Sequence, residues 1–317
     1  MSRFFEGIRH SLNRLVENLL SQRRDRSLSA FINTVGISLM FILLVNNLSK
    51  ELSALNAILL ELKWTPILLA LLLFGINYVF FTMSWHNLIT SVSPVPMIAN
   101  VLVYSESQLA KILPTPVWFI SHRVVKYADL ALKPATALLA TGAEILLHIL
   151  TSLVFLIISG LFALPTLRLP LALALLFNLY LLVSPKHLVN IVNKHAEVKV
   201  ANIRASAFLL LLTWPIGYLF LHLLLQSVNV YGVINPSQTI TIWTVASIIS
   251  YIGSFILGGA GILREFSLTM MLAEYIPYPT ALTIAALSRI VITAGNILWP
   301  GFVIGFLKLF GPKEDRR

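Results

Sequence analysis

From Thr239 to Leu257 the chain carries no charged residue and is mostly apolar. The run then breaks on Gly258-Gly259-Ala260-Gly261-Ile262-Leu263-Arg264-Glu265. An uncharged run of about 20 residues is a membrane-span candidate. At the bilayer centre each charge costs about 2.5–3.5 kcal/mol on insertion scales. Glycines that open the backbone, followed at once by an arginine and a glutamate near membrane depth, point to a site. Arg264 and Glu265 are neighbours, about 100° apart on a helix, so they are not expected to pair with each other. An alternative reading makes both of them ordinary charges at the cytoplasmic interface.

The rest of the chain fits a membrane setting. Of 317 residues 57% are hydrophobic and 11% are charged, against roughly 25% charged in soluble domains. An integral membrane protein is expected, with all-α, polytopic architecture. The net charge of +10 fits cytoplasmic loops rich in Lys and Arg better than a nucleic-acid surface, so no nucleic-acid partner is expected. The absence of cysteine excludes disulfides and thiolate metal sites. The spans leave no stretch for a separate soluble catalytic domain.

Residues 1–27 are basic, and Phe4, Phe5, Ile8, Leu12, Leu15, Leu19 and Leu20 form an apolar face at helical intervals, which reads as an amphipathic cytoplasmic helix. A single transmembrane domain follows over 28–310, then a cytoplasmic tail over 311–317. Spans are expected at about Leu28–Leu48, Thr65–Ser84, Ala135–Leu161, Leu167–Val183, Ala207–Leu225 and Thr239–Leu257, with Trp85 as an interface anchor and Pro215 with Gly217 as a kink. Thr280–Phe310 is long for one span and short for two. Both termini inside requires an even number of crossings. Either that stretch crosses twice, or Gly258–Tyr275 joins it in a hairpin. The expected total is about eight membrane-inserted helices, in a cell inner membrane.

Two segments look broken or re-entrant. In Val92–Leu130, Ser105, Glu106, Ser107, Gln108 and Lys111 interrupt an apolar stretch. Pro114 and Pro116 then stop the helix, and Arg123 follows. The second is Gly258–Glu274, with breaks at Gly258, Gly259 and Gly261. Paired interrupted segments, one in each half, are a pointer to a transporter site. Freed helix N-termini favour anions, and Arg123 and Arg264 are able to grip phosphate bidentately. Thr141, Glu144, His148, Thr151 and Ser152 recur at helical spacing and form a polar stripe that should face the bundle interior. Arg289, Thr293 and Asn296 make a second stripe. The candidate headgroup-binding residues are therefore Arg123, Glu144, Arg264, Glu265 and Arg289, with Glu144 and Arg289 the expected contacts of the Arg264-Glu265 pair. Glu144 and Glu265 would neutralise the arginines of an empty site. Glu144 and His148 lack a third metal ligand, and the glycine run lacks the strand and the Lys-Ser/Thr of a nucleotide loop. No metal and no cofactor are expected.

The same segments carry a resemblance. Gly258-Gly259-Ala260-Gly261-Ile262-Leu263-Arg264-Glu265 resembles the Pro-Gly-Gly-x-Gly-x-Arg-Glu stretch of the lysylphosphatidylglycerol synthase transmembrane family, with Leu257 in place of proline and one extra residue before the arginine. Tyr278-Pro279-Thr280-Ala281 followed by Arg289 also fits. Ser107–Trp118 is similar to that family's Leu-Pro-Gly-x-x-Trp segment, with Thr115 for glycine, Arg123 after it and Glu144 in the next helix. The likeness runs from about residue 30 to 310. The family includes the flippase region of multiple-peptide-resistance proteins. The resemblance implies a lipid translocase of about eight helices without synthase activity, with Arg123, Glu144, Arg264 and Glu265 near the headgroup route.

The expected function is thus a flippase or scramblase for an anionic phospholipid, aminoacyl-lipid or polyprenyl-linked lipid, and not an enzyme. A membrane lipid is the expected partner, and a lipid or glycolipid synthesis enzyme a second one. Two alternatives stay open: a membrane-embedded enzyme on polyprenyl-linked sugars, which the short, charge-poor external loops disfavour, and a scaffold subunit for a lipid or glycolipid synthesis enzyme.

Overall fold

The computed structural model describes residues 60–110, 117–163, 165–184, 199–257 and 260–310. The segment 1–27, the span Leu28–Leu48, Lys111, Pro114, Pro116, Gly258, Gly259 and the tail 311–317 lie outside the described residues. Among those described, every regular element is helical: α1 (Trp64–Val92), α2 (Met97–Ala110), α3 (Val117–Asp129), α4 (Pro134–Ala163), a 3-10 turn (Pro165–Leu167), α5 (Arg168–Val183), α6 (Val200–Ser227), α7 (Pro236–Leu257), α8 (Ala260–Leu272) and α9 (Tyr278–Phe310).

Local chemistry sets the helix ends. Asn235 caps α7: its Oδ1 accepts from the Gln238 N–H at 2.8 Å, and Gln238 Oε1 accepts in return from the Asn235 N–H at 3.1 Å. That reciprocal pair is a capping box, and Pro236 opens the helix behind it, as Pro134 opens α4. Helix α3 closes on Ala131, which takes the left-handed conformation at φ 60°. The Leu132 N–H then reaches back to the Tyr127 carbonyl at 2.9 Å, the bond pattern of a Schellman cap. Asn229 ends α6 in the same way, with the Val230 N–H on the Leu225 carbonyl. The α3 cap folds the chain straight into α4, and so brings Arg123 back alongside Glu144.

Four of these helices, α1, α4 over Pro134–Leu161, α6 and α9, are long and apolar enough to cross a membrane. Their exposed faces are mostly apolar, with Arg204 on α6 and Arg289 and Lys308 on α9 as charged exceptions. Leu68, Leu72, Ile76, Val79 and Met83 form one outward stripe along α1, and Ile290, Ile297, Phe302, Phe306 and Leu309 stand out from α9. Apolar exposed surface of this kind suits lipid rather than water. The chain is an integral membrane protein.

Helices α1 and α6 run antiparallel and are tied at both ends, by the Lys63 N–H on the Ser227 carbonyl at 2.9 Å and the Lys199 N–H on the Ser91 carbonyl at 3.0 Å. Between the ties the hydroxyls of Ser84 and Ser206 meet at 2.7 Å, the small-residue contact that lets membrane helices approach closely. Helix α1 contributes to all three apolar clusters: one with α6, α7, α8 and α9, one with α2, α3 and α4, and one with α4, α5 and α6.

Several expectations change. The second span runs on to Val92, so Trp85 is fully buried rather than an interface anchor. The expected fourth span is α5, 16 residues or about 24 Å long, shorter than a hydrocarbon core of about 30 Å. Thr280–Phe310 does not divide into two short helices. It is one helix of 33 residues that continues through Pro300. Gly261 lies inside α8, which starts at Ala260, so it breaks nothing. The kink expected at Pro215 falls within the continuous helix α6.

Helices α1 and α9 interlock through glycines. A Cβ on Gly75 would stand 2.6–3.0 Å from the Trp299 indole, one on Gly295 would collide with Phe74, and the Trp299 N–H donates to the Leu71 carbonyl at 3.1 Å. Gly75→Ala is expected to cost about 1–3 kcal/mol by overpacking. Gly301→Ala, where a Cβ meets nothing within 4 Å, should be neutral or gain up to about 1 kcal/mol of helix propensity. Thermal unfolding of the purified protein in detergent checks both: the midpoint falls for the first variant and not for the second.

Candidate functional site

Arg123 is the largest charged side chain fully withdrawn from solvent, at 0% exposure. A buried guanidinium needs a counter-charge and partners for its five N–H groups. Glu144 on α4 supplies the charge: Nη1 donates to Oε2 at 2.6 Å. Ser107 on α2 accepts from Nε at 3.1 Å, while its own proton goes to the Tyr104 carbonyl. Aromatic faces fill the remaining shell. The Trp85 ring of α1 lies 3.9 Å from the guanidinium carbon, with Tyr104 at 5.0 Å and Phe119 at 5.3 Å, a cation–π arrangement in a desolvated setting. Nη2 is buried and has no hydrogen-bond partner among the described residues.

The aromatic floor is itself pinned. The Trp85 N–H donates to the Tyr127 hydroxyl at 2.7 Å, that hydroxyl donates to Asn100 Oδ1, and the Asn100 amide donates to His86 Nδ1 at 2.9 Å. Tyr78 and Ser105 share a further hydroxyl contact. Closer to the surface, Glu106 on α2 takes both His122 Nε2 and Lys126 Nζ of α3, each at 3.2 Å, and cross-links the two short helices.

The polar stripe of α4 faces inward as expected: Thr141, Glu144, His148, Thr151 and Ser152 are all buried. The His148 ring sits among Phe81, Trp214 and Tyr251, with centroids 5.4, 4.8 and 4.4 Å away. Thr151 accepts from the Trp214 N–H at 3.1 Å.

A second charged group forms on α8 and α9. Arg264 Nη2 donates to Glu265 Oε1 at 2.8 Å, and Arg289 Nη1 lies 3.9 Å from Glu265 Oε2. The expectation that Arg264 and Glu265 do not pair is therefore corrected. The angular argument fixes where two Cβ atoms point, but a long arginine bends back to a neighbouring carboxylate when both are largely withdrawn from solvent. Arg289 contacts the pair, as expected, but remains 52% exposed on its side chain. Glu144 does not contact the pair, because Arg123 holds it. The group has two arginines and one glutamate, so it carries a surplus positive charge. Arg264 Nε is buried without a partner among the described residues, and Trp243 lies 5.9 Å from the guanidinium carbon.

Tyr251 on α7 lies within electrostatic reach of Glu144, Arg123 and Arg264. Sequence reasoning missed Tyr251, Trp85, Tyr104 and Tyr127 as site residues. The available signal was aromatic residues with polar tips inside apolar helices, which need a partner when buried. Among the described residues no cluster of three or more potential metal ligands occurs. No protein-family model matches the chain, and no curated protein matches it.

Removing one partner of a buried ion pair strands the other. Glu144→Ala is expected to cost about 3–5 kcal/mol, whereas the double variant Arg123→Met/Glu144→Leu should be less destabilised than Glu144→Ala alone. Arg289→Ala should cost about 1 kcal/mol or less. A double-mutant cycle on unfolding in mixed micelles tests this, and a double variant less stable than both singles would contradict it.

Proposed function

We propose that this chain is a lipid translocase, a flippase or scramblase, in which an anionic headgroup passes a polar route between the α2/α3 and α7/α8 helix pairs while the acyl chains stay in the bilayer. The observation that carries this reading is the pair of withdrawn arginines on these short helices. Arg123 and Arg264 each keep a buried N–H without a partner among the described residues, and both act on Tyr251. Donors held in a low-dielectric setting favour an oxyanion. Helices α2, α3 and α8, at 14, 13 and 13 residues, are about 20 Å long, too short to span. On this reading they are the two re-entrant elements of a domain with about eight membrane-inserted helices, both termini face the cytoplasm, and the membrane is a cell inner membrane. The resemblance to the lysylphosphatidylglycerol synthase transmembrane family supports the same assignment through Arg123, Glu144, Arg264 and Glu265. The headgroup class is an anionic phospholipid, an aminoacyl-lipid or a polyprenyl-linked lipid, and the chain carries no synthase activity of its own.

A second reading has its own support. Arg123 and Arg264 are each already held by a carboxylate, as structural cross-links would be. The chain is then a partner subunit of a lipid or glycolipid synthesis enzyme.

Transbilayer movement of labelled phosphatidylglycerol in reconstituted liposomes separates the two. The translocase moves label faster than empty liposomes, and Arg264→Ala slows it about tenfold or more, as expected for loss of more than about 1.4 kcal/mol of headgroup interaction. Movement equal to that of empty liposomes, with and without an ion gradient, would sink the translocase reading.

A further inference from the structure

We infer that Glu144 takes up a proton when a phosphodiester anion binds Arg123, so that the two ligands occupy the site together. The inference rests on the headgroup reading above and adds what travels with the headgroup. Three of the facts already described carry it. Arg123 is fully buried, Glu144 engages it through one oxygen only, and the Nη2 edge is left without a partner among the described residues.

The charge balance follows. With Glu144 ionised the pair is neutral. A phosphodiester arriving at Nη2 brings one negative charge, and one guanidinium then faces two anions in a shell made of Trp85, Tyr104 and Phe119. An uncompensated charge in such surroundings is strongly disfavoured. Among the described residues, nearby cations do not relieve it. Arg264 is held by Glu265, and the surplus charge of that group sits on the half-exposed Arg289. Lys126 and His122 are engaged by Glu106. A proton from water onto a Glu144 oxygen restores neutrality. No covalent bond to the lipid forms or breaks. The carboxyl O–H also becomes a donor toward the phosphate, so the residue changes from competitor to partner.

The titratable and charged groups around Glu144 are few. Arg123 and Tyr127 act on it from α3, Tyr104 from α2 and Tyr251 from α7. His148 lies four residues along α4 within its aromatic enclosure. From the other helices packed on α4, Phe81 of α1 and Trp214 of α6 reach this region without a titratable group, and α5 packs on α4 through leucines and the Asn178 amide on the Leu150 carbonyl. Glu144 is the one carboxylate among the described residues in contact with Arg123. A headgroup carried this way moves with its proton as a neutral pair.

The test uses the full chain in detergent with dioctanoyl phosphatidylglycerol, whose phosphate stays a monoanion across the working pH range. Binding calorimetry in buffers of different ionisation enthalpy counts protons. The expected result is uptake of about one proton per lipid and affinity that falls about tenfold for each unit rise in pH once Glu144 is ionised in the free protein. Glu144→Gln keeps the shape and an oxygen acceptor, and should bind with little pH dependence and no proton uptake. Lipid binding without proton uptake in the wild-type chain would overturn this inference and leave the headgroup reading standing. So would a Glu144→Gln variant that keeps the wild-type pH slope, which would move the proton elsewhere, with His148 the first candidate. No binding of the lipid at any pH would remove the headgroup reading and this inference with it. Deacylated glycerophosphoglycerol serves as the second probe. If it binds as tightly as the lipid with the same proton uptake, the coupled site is supported and its ligand is a soluble phosphodiester.

Discussion

A guanidinium with no exposure to solvent organises four of the described helices. Burying Arg123 costs far more than any one of its contacts returns, so the position is tenable only when all its partners are in place. Those partners come from four helices: Trp85 from α1, Ser107 and Tyr104 from α2, Phe119 from its own α3, and Glu144 from α4. The requirement propagates outward. Trp85 faces Arg123 squarely because its N–H is anchored on Tyr127, which is anchored on Asn100 and thence on His86. Tyr127 in turn is the residue whose carbonyl closes the α3 cap. Ion pair, aromatic floor and helix reversal therefore form one cooperative unit, as expected of a buried polar network.

The rest of the bundle holds that unit rigid. Helix α1 is the common member: it is tied to α6 at both ends, interlocked with α9 through Gly75 and Gly295, and carries Trp85. In lipid there is no hydrophobic drive to press helices together, so close approach and hydrogen bonds must do it. The Ser84–Ser206 contact and the Trp299 N–H on the Leu71 carbonyl are contacts of that type.

What was legible in the sequence divides along the same line. Charge-free apolar runs and the spacing of Thr141, Glu144, His148 and Thr151 are properties of one helix, and within the described residues each predicted its own element or face. The identity of a residue's partner in another helix is not such a property. That is why Glu144 was expected near Arg264 and is found on Arg123. An indole at the end of an apolar run reads alike at an interface and in a core. Only the extra turns of α1 to Val92 decide for Trp85. The two-helix alternative for Thr280–Phe310 failed for a different reason. Span counting sets residues against bilayer thickness, whereas a helix of 33 residues, about 50 Å, is accommodated by tilting or by extending beyond the hydrocarbon.

The two arginine groups also differ in a way that composition alone conceals. Arg123 with Glu144 is neutral and buried. Arg264, Glu265 and Arg289 carry surplus positive charge, and its most exposed member is Arg289. Exposed charge draws an anion at long range with little binding energy, because water screens it. Withdrawn charge binds strongly but only after the anion has lost its water. An arrangement with both kinds, and Tyr251 within reach of the two inner arginines, separates attraction from grip. Under the translocase proposal, strong binding at the outer group would hold a headgroup there, and weak binding at the inner one would never bring it in. On that proposal, the order of exposure, from Arg289 through Arg264 to Arg123, would turn a stationary pair of sites into a route.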